Sequence, residues 1–141
     1  MKYRYLEHTA DVLFEAYGKD LPELFANAAL ATEEIMVELK TLKKSQDPVE
    51  INLIGKDAEE LLFNFLEELI FLKDTKQYLF KEFNIKIKKI KKEYKLSAKC
   101  MGEKINPKKQ ELGRDVKAVT LHEFEVKKEK EGWKAKVLLD V

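Results

Sequence analysis

The chain has one cysteine, Cys100, three prolines and five glycines among 141 residues. A lone thiol builds neither an intramolecular disulfide nor a thiolate zinc site, so neither a disulfide framework nor a structural zinc explains this sequence. So few prolines and glycines exclude collagen-like and linker-rich chains. There is no apolar run of signal-peptide or membrane-span length, which gives the expectation of a cytosolic protein with no membrane partner. The formal net charge is only +1, so no global field draws nucleic acid or lipid, and any such attraction must be local. What the chain does have is 45% apolar and 38% charged residues, the balance of a globular fold. At this length a single domain, 1–141, can bury a real core. Abundant Lys and Glu with few amides also fit a heat-adapted source.

Two short strands are expected at Tyr3 to Glu7 and Val12 to Tyr17, separated by the polar run His8-Thr9-Ala10-Asp11. Gly18-Lys19 then turns the chain, and Asp20, three residues before Glu23, makes a capping box with Pro22 in the first turn. The near-helical recurrence of Leu21, Leu24, Phe25, Ala28, Ala29, Ile35 and Met36 predicts a helix to about residue 37 with one buried face. After a polar connection, Thr41 to Pro48, residues 49–54 alternate as a half-buried strand. Asp57 and Glu60 form a second capping box, opening a helix of about 16 residues marked by Leu61, Leu62, Phe65, Leu66, Leu69 and Leu72. From Tyr78 the period is two. A lysine-faced hairpin turns near Lys91 to Glu93, and a second hairpin pairs Val116 to Lys127 with Trp133 to Val141. The prediction is an α+β fold, mostly antiparallel β-sheet packed with two amphipathic helices in one compact domain.

The chemistry starts at the strand ends. Asp140 is followed by Val141, the last residue of the sequence, so a side-chain carboxylate and a main-chain carboxylate stand side by side. If the first and last strands are neighbours, Asp11 joins them, and three anionic oxygen donors suit a hard cation such as Ca²⁺ or Mg²⁺ better than Zn²⁺. The competing reading is that these acids are ordinary solvated surface. His8 and His122 could ligate metal or move a proton, or be hydrogen-bonding structural histidines, and no nucleophile accompanies them. Strand alternation puts Lys117, Val119 and Leu121 on one face and Val116, Ala118, Thr120, His122 and Phe124 on the other. Lys117, a lysine among apolar neighbours, could neutralise the acids, touch a phosphate, or snorkel at a sheet edge. The basic run 86–95 either binds a nucleic-acid backbone or guards a sheet edge against aggregation.

The runs His8-Thr9-Ala10-Asp11-Val12, Gly113-Arg114-Asp115-Val116-Lys117-Ala118-Val119-Thr120-Leu121-His122 and Trp133 to Val141 together resemble the archease family. Glu15-Ala16-Tyr17-Gly18 and Leu24 to Ala29 extend the resemblance along the whole chain. It implies a small, non-catalytic partner of the RNA ligase that joins tRNA exon halves bearing 2′,3′-cyclic phosphate and 5′-hydroxyl ends. Such a partner promotes ligase guanylylation, restores multiple turnover and broadens the nucleotides accepted. The resemblance further implies a divalent cation, chiefly Ca²⁺ with Mg²⁺ or Mn²⁺ as alternatives, held by Asp11, Asp140 and Val141. Lys117 matches a position important for activation, with His8 as a secondary candidate. Two residues depart from the family pattern: Leu121 stands where tyrosine is common, and Leu13 where a small residue is common. Two other classes remain open from the residues themselves. One is a chaperone-like module binding RNA or protein through 86–95; the other, disfavoured by the lack of a second acid in either acidic motif, is a metal-dependent hydrolase.

Overall fold

The computed structural model describes residues 1–8, 10–44 and 47–141. Thr9 of the HTAD run and Ser45-Gln46 of the polar connection lie outside the described residues. Strands β1 (Tyr3–Leu6) and β2 (Val12–Gly18) precede helix α1 (Leu21–Met36), and β3 (Val49–Gly55) precedes α2 (Ala58–Lys76). Two hairpins follow, β4 (Tyr78–Ile90) with β5 (Glu93–Lys104) and β6 (Ala118–Glu129) with β7 (Gly132–Asp140). Every strand pairing is antiparallel, in two sheets of order β1-β2-β7-β6 and β3-β5-β4. The α+β class is as expected; the division of the strands into two separate sheets is not visible in any local pattern.

Both helices begin where the capping boxes place them. The Glu23 amide donates to Asp20 Oδ1 at 2.9 Å, and the Glu60 amide to Asp57 Oδ1 at 2.8 Å. Each acidic partner reaches back to the amide of a lysine, Glu23 to Lys19 at 2.9 Å and Glu60 to Lys56 at 3.1 Å. Each cap contributes about 1 kcal/mol. α2 runs one turn beyond the sequence expectation, to Lys76. Its polar last turn continues until Gln77 takes the left-handed conformation, φ 59°, and its amide satisfies the carbonyls of Leu72 and Lys73.

The expectation of a single buried face on α1 needs correction. Asn27, Ala31, Thr32 and Glu33 are buried along with the apolar positions. The cause is position: α1 packs on β1, β2 and β7 of one sheet and on β4 of the other, while α2 touches β3, β4, β5 and β6. Helices held between two sheets lose solvent on opposite sides. The core is knitted by rings from three elements. Phe25 of α1 stacks on Phe65 of α2 with centroids 6.2 Å apart, and Phe65 meets Phe83 of β4 edge-on, also at 6.2 Å. Burial in this core pushes the Cys100 thiol pKa up to about 12, so the one cysteine is a small hydrophobe and not a nucleophile.

Glu33 is the exception inside this core. The β4–β5 pairing skips a residue between Phe80 and Glu82, and the Phe80 amide donates instead to Glu33 Oε1 at 3.0 Å. Glu33 Oε2 is buried with no hydrogen-bond partner among the described residues. Burial raises its pKa to about 8 against the ordinary 4.5, only partly offset by the Phe80 amide and the charge of Lys73. A helical glutamate outside the apolar pattern of α1 thus closes a gap in the second sheet.

Candidate metal centre at the strand ends

β2 lies between β1 and β7, and β7 between β2 and β6. Val12 is opposite Leu139, and Ala118 is opposite Asp140. Extending the β2–β7 register by one residue brings Asp11 opposite Asp140, and directly opposed residues in an antiparallel pair share a face of the sheet. The backbone amide of Lys117 donates to the Asp140 carbonyl at 2.8 Å. Three adjacent strands therefore gather Asp11, Asp140, Val141 and Lys117 at one end of the first sheet. Asp140 is exposed, while Asp11 and Val141 are half-buried. The Lys117 side chain is exposed and makes no ion pair with any described residue.

Segment 113–117, which carries Lys117, is held by both helices. The amides of Gly113 and Arg114 donate to Met36 O and Ile35 O at the end of α1, each at 2.8 Å, satisfying carbonyls that a helix terminus leaves orphaned. A side chain at Gly113 would meet Ile35 O at 2.3 Å, so the close approach requires glycine. From α2, Lys73 is 6% exposed and donates to Asp115 Oδ1 at 2.6 Å and to Val116 O at 2.8 Å. It also pairs with Asp74 at 2.7 Å. Burial opposes its charge, but Asp115 and Asp74 prevail and hold its pKa above the ordinary lysine value. Nothing in the polar last turn of α2 marks Lys73 as a buried anchor; its partners arrive from 42 and 43 residues away. Replacing Lys73 with methionine removes these charge-assisted bonds and should lower stability by about 2 kcal/mol. Chemical denaturation measures this, and an unchanged midpoint would show that the anchor contributes nothing.

β6 does not continue its alternation past Thr120. Its register against β7 shifts between Thr120, opposite Leu138, and Glu125, opposite Lys136. Residues 121–124 therefore bulge out opposite Val137 alone, with Glu123 in the left-handed region at φ 57°. The expectation that Leu121 shares the face of Val119 is corrected by this bulge: Val119 is 6% exposed and Leu121 75%. Leu13, the other departure from the family pattern, is buried. Phe124 swings onto Phe63 of α2 with centroids 5.5 Å apart.

The bulge also brings charge toward His8. The ring Nδ1 lies 4.0 Å from Asp11 Oδ2 and Nε2 lies 4.0 Å from Glu123 Oε2. Glu123 binds Lys136 at 3.1 Å, and that hydrogen bond and charge hold its pKa below the usual carboxylate range. His122 Nε2 reaches Glu123 Oε2 at 3.7 Å. Glu123 and Lys136 are members of this cluster that sequence reasoning missed, because it is the bulge in β6 that carries Glu123 onto Lys136 of β7. Beside Asp11 and His8 opens a cleft of about 430 Å³ whose walls include Tyr5, Glu34, Ile35 and Arg114. Its rim is fixed where Tyr5 Oη donates to Ala31 O at 2.7 Å and Tyr3 Oη to Glu34.

Among the described residues no three His, Cys, Asp or Glu side chains converge as a metal centre. The oxygen donors at this end of the sheet are the carboxylates of Asp11 and Asp140 and the main chain of Val141. All are hard oxygen donors, which fit Ca²⁺, Mg²⁺ or Mn²⁺ and leave positions for water or a partner's oxygens.

The Archease protein family (MTH1598/TM1083) matches residues 3–141. The chain belongs to the archease family. Among its archease relatives, the protein of Pyrococcus abyssi is 38% identical over 141 residues, with 99% of each chain covered. That of Methanosarcina barkeri is 40% identical over 142 residues, covering 99% of this chain and 96% of the relative. The solution structure of Methanobacterium thermoautotrophicum protein 1598 superposes with a TM-score of 0.87 at 37% identity, covering 99% of this chain and 98% of the other. A crystal structure of a Thermotoga maritima archease, described as a possible chaperone, gives a TM-score of 0.59 at 24% identity over 96% and 94% of the two chains. At that identity the likeness speaks for the archease fold alone. Among the described residues no helix is long and apolar enough to cross a membrane.

Proposed function

We propose that this archease-family protein is an accessory activator, not itself an enzyme, of an RNA ligase that joins 2′,3′-cyclic phosphate and 5′-hydroxyl RNA ends. It promotes guanylylation of the ligase and so sustains multiple turnover. The observation that carries this reading is the gathering of Asp11, Asp140, Val141 and Lys117 at one end of the first sheet, in a member of the archease family. Asp11, Asp140 and the Val141 carboxylate hold a divalent cation, with Ca²⁺ the leading candidate and Mg²⁺ or Mn²⁺ the alternatives. When bound, that cation supplies positive charge that a nucleotide phosphate can share.

The protein's own residues set up the rest. The carboxylates concentrate negative charge on an exposed rim, where a cation keeps positions open for a partner. Lys117, with no ion pair to any described residue and held by its backbone to Asp140, presents a compact cation suited to a phosphate. His8 stands between Asp11 and the bulge, 4.0 Å from Asp11 Oδ2 and from Glu123 Oε2. Fixed charges placed near a transferring phosphoryl group assist the transfer without supplying a nucleophile.

The test is ligase guanylylation followed with the wild-type protein and with Asp11→Ala, Asp140→Ala and Lys117→Ala. Each variant should lose stimulation by about 100-fold or more, the scale of removing one charge-stabilising donor. Full stimulation by all three variants would sink the mechanism.

A further inference from the structure

The lysine-rich hairpin lies on the second sheet, not the one that carries the candidate metal centre, and its arrangement is more specific than its composition. Residues 86–99 contain seven lysines and one glutamate, a net +6 in a chain whose total is +1. The register lines up an outward face of nine positions across three strands: Glu50, Asn52 and Ile54 of β3, Lys99, Ser97 and Lys95 of β5, and Asn84, Lys86 and Lys88 of β4. All nine are exposed. Alternate residues point the other way, with Leu96, Ala98 and Cys100 in the core. None of the seven lysines makes an ion pair with a described residue, and Lys88 stands directly opposite Lys95, an arrangement that costs stability.

Edge protection accounts for only part of this. β4 is an edge strand, so its lysines can block edge-to-edge pairing. β5 is central, hydrogen-bonded on both sides, and Lys95 and Lys99 project from the sheet face, where they guard no edge. Lys95 opposes Lys88, and of the four lysines on this face only Lys99 has an acid, Glu50, across the ladder, so most of the positive charge is left open to an external polyanion.

We infer that this face binds the phosphate backbone of single-stranded nucleic acid, without reading its sequence. Charge complementarity favours that occupant. Lysines two apart on a strand are spaced by about 6.8 Å, comparable with successive phosphates along an extended strand, and β5 lies about 4.8 Å from β4 to offer a second row. Ser97 within the β5 row, Asn84 at the end of the β4 row and Asn52 beside Ser97 on β3 add donors for phosphate and sugar oxygens. A lipid surface would call for apolar side chains to insert, and Ile54 is the one exposed apolar residue among the nine.

The experiment is fluorescence anisotropy with a labelled oligouridylate of about 20 nucleotides, titrated with the whole protein between about 50 and 200 mM salt. The wild type should bind with a log-log salt slope of about −3 to −4, as four to six neutralised phosphates on a single strand give. A variant with Lys86, Lys88, Lys95 and Lys99 all changed to Gln should lose affinity at least about tenfold and flatten the slope by about 3. Lys108, Lys109, Lys127 and Lys130 changed to Gln removes the same charge elsewhere and should bind as wild type. Thermal unfolding of both variants, all eight positions being exposed, should match the wild type. Equal loss in the two variants would reduce the effect to net charge and overturn the inference. It is equally overturned if the wild type fails to bind RNA, or binds only vesicles of phosphatidylserine and phosphatidylcholine. No ligase enters this assay, so its outcome stands apart from that of the activation test.

Discussion

Glu33→Gln should make the protein more stable than the wild type at pH 9 and less stable at pH 5. Burial raises the Glu33 pKa to about 8 from 4.5. The folded-state value therefore lies above the unfolded one, so the stability associated with its protonated form is fully present below pH 4.5 and is lost as pH rises to about 8. At about 1.4 kcal/mol per pH unit, the loss across that window is on the order of 5 kcal/mol. Glutamine keeps an oxygen for the Phe80 amide but cannot ionise, so the variant should lack this slope. Its extra N–H would occupy the place of the unpartnered Oε2, which costs about 1–3 kcal/mol at every pH; this sets the crossing between acid and alkaline conditions. Glu33→Ala, which strands the Phe80 amide and leaves a void, should be destabilised throughout. Denaturant unfolding at pH 5, 7 and 9 reads all three proteins. Parallel pH profiles for wild type and Glu33→Gln would show that Glu33 ionises freely in the fold.

The second large effect separates Lys117 from the acids. Asp11→Ala and Asp140→Ala should lose both divalent-cation binding and ligase activation, because each removes a carboxylate from a three-donor set. Lys117→Ala should bind the cation at least as tightly as wild type, since deleting a neighbouring positive charge relieves repulsion, yet lose activation by about 100-fold or more. The Lys117 amide, which donates to Asp140 O at 2.8 Å, survives the substitution, so strand pairing does not confound the comparison. If Lys117→Ala lost cation binding as severely as Asp11→Ala, the division of labour proposed here would be wrong. If it activated normally, Lys117 would have no part in the partner's site.

Much of this was legible from residues alone, and what was not has physical causes. The two Asp-x-x-Glu boxes predict both helix starts, because a cap is a local hydrogen bond that needs no tertiary partner. The alternation of residues 83–100 predicts the long hairpin for the same reason. Sequence could not show that the strands split into two sheets with the helices between them, and so it assigned α1 one buried face. Glu33 and Lys73 carry no local mark of burial because their partners, Phe80 and the Asp115–Val116 segment, lie more than 40 residues away. The expected face for Leu121 failed at a bulge, which inserts residues without a local signature. At the candidate site it is the second strand and not the first that lies beside the last, and its register carries Asp11 toward Asp140 and Val141, while Glu123 reaches Lys136 of β7 through that bulge.

The anionic cup proposed at Asp11, Asp140 and Val141 requires that the protein bind a divalent cation there. Calorimetric titration of Ca²⁺ into the wild-type protein and into Asp11→Ala tests it most directly. One site per chain is expected in the wild type, with a dissociation constant of about 10⁻⁴ to 10⁻³ M or tighter, and at least about tenfold weaker binding in the variant. Binding of equal strength in the two proteins, or no binding of Ca²⁺, Mg²⁺ or Mn²⁺ by the wild type, would contradict it.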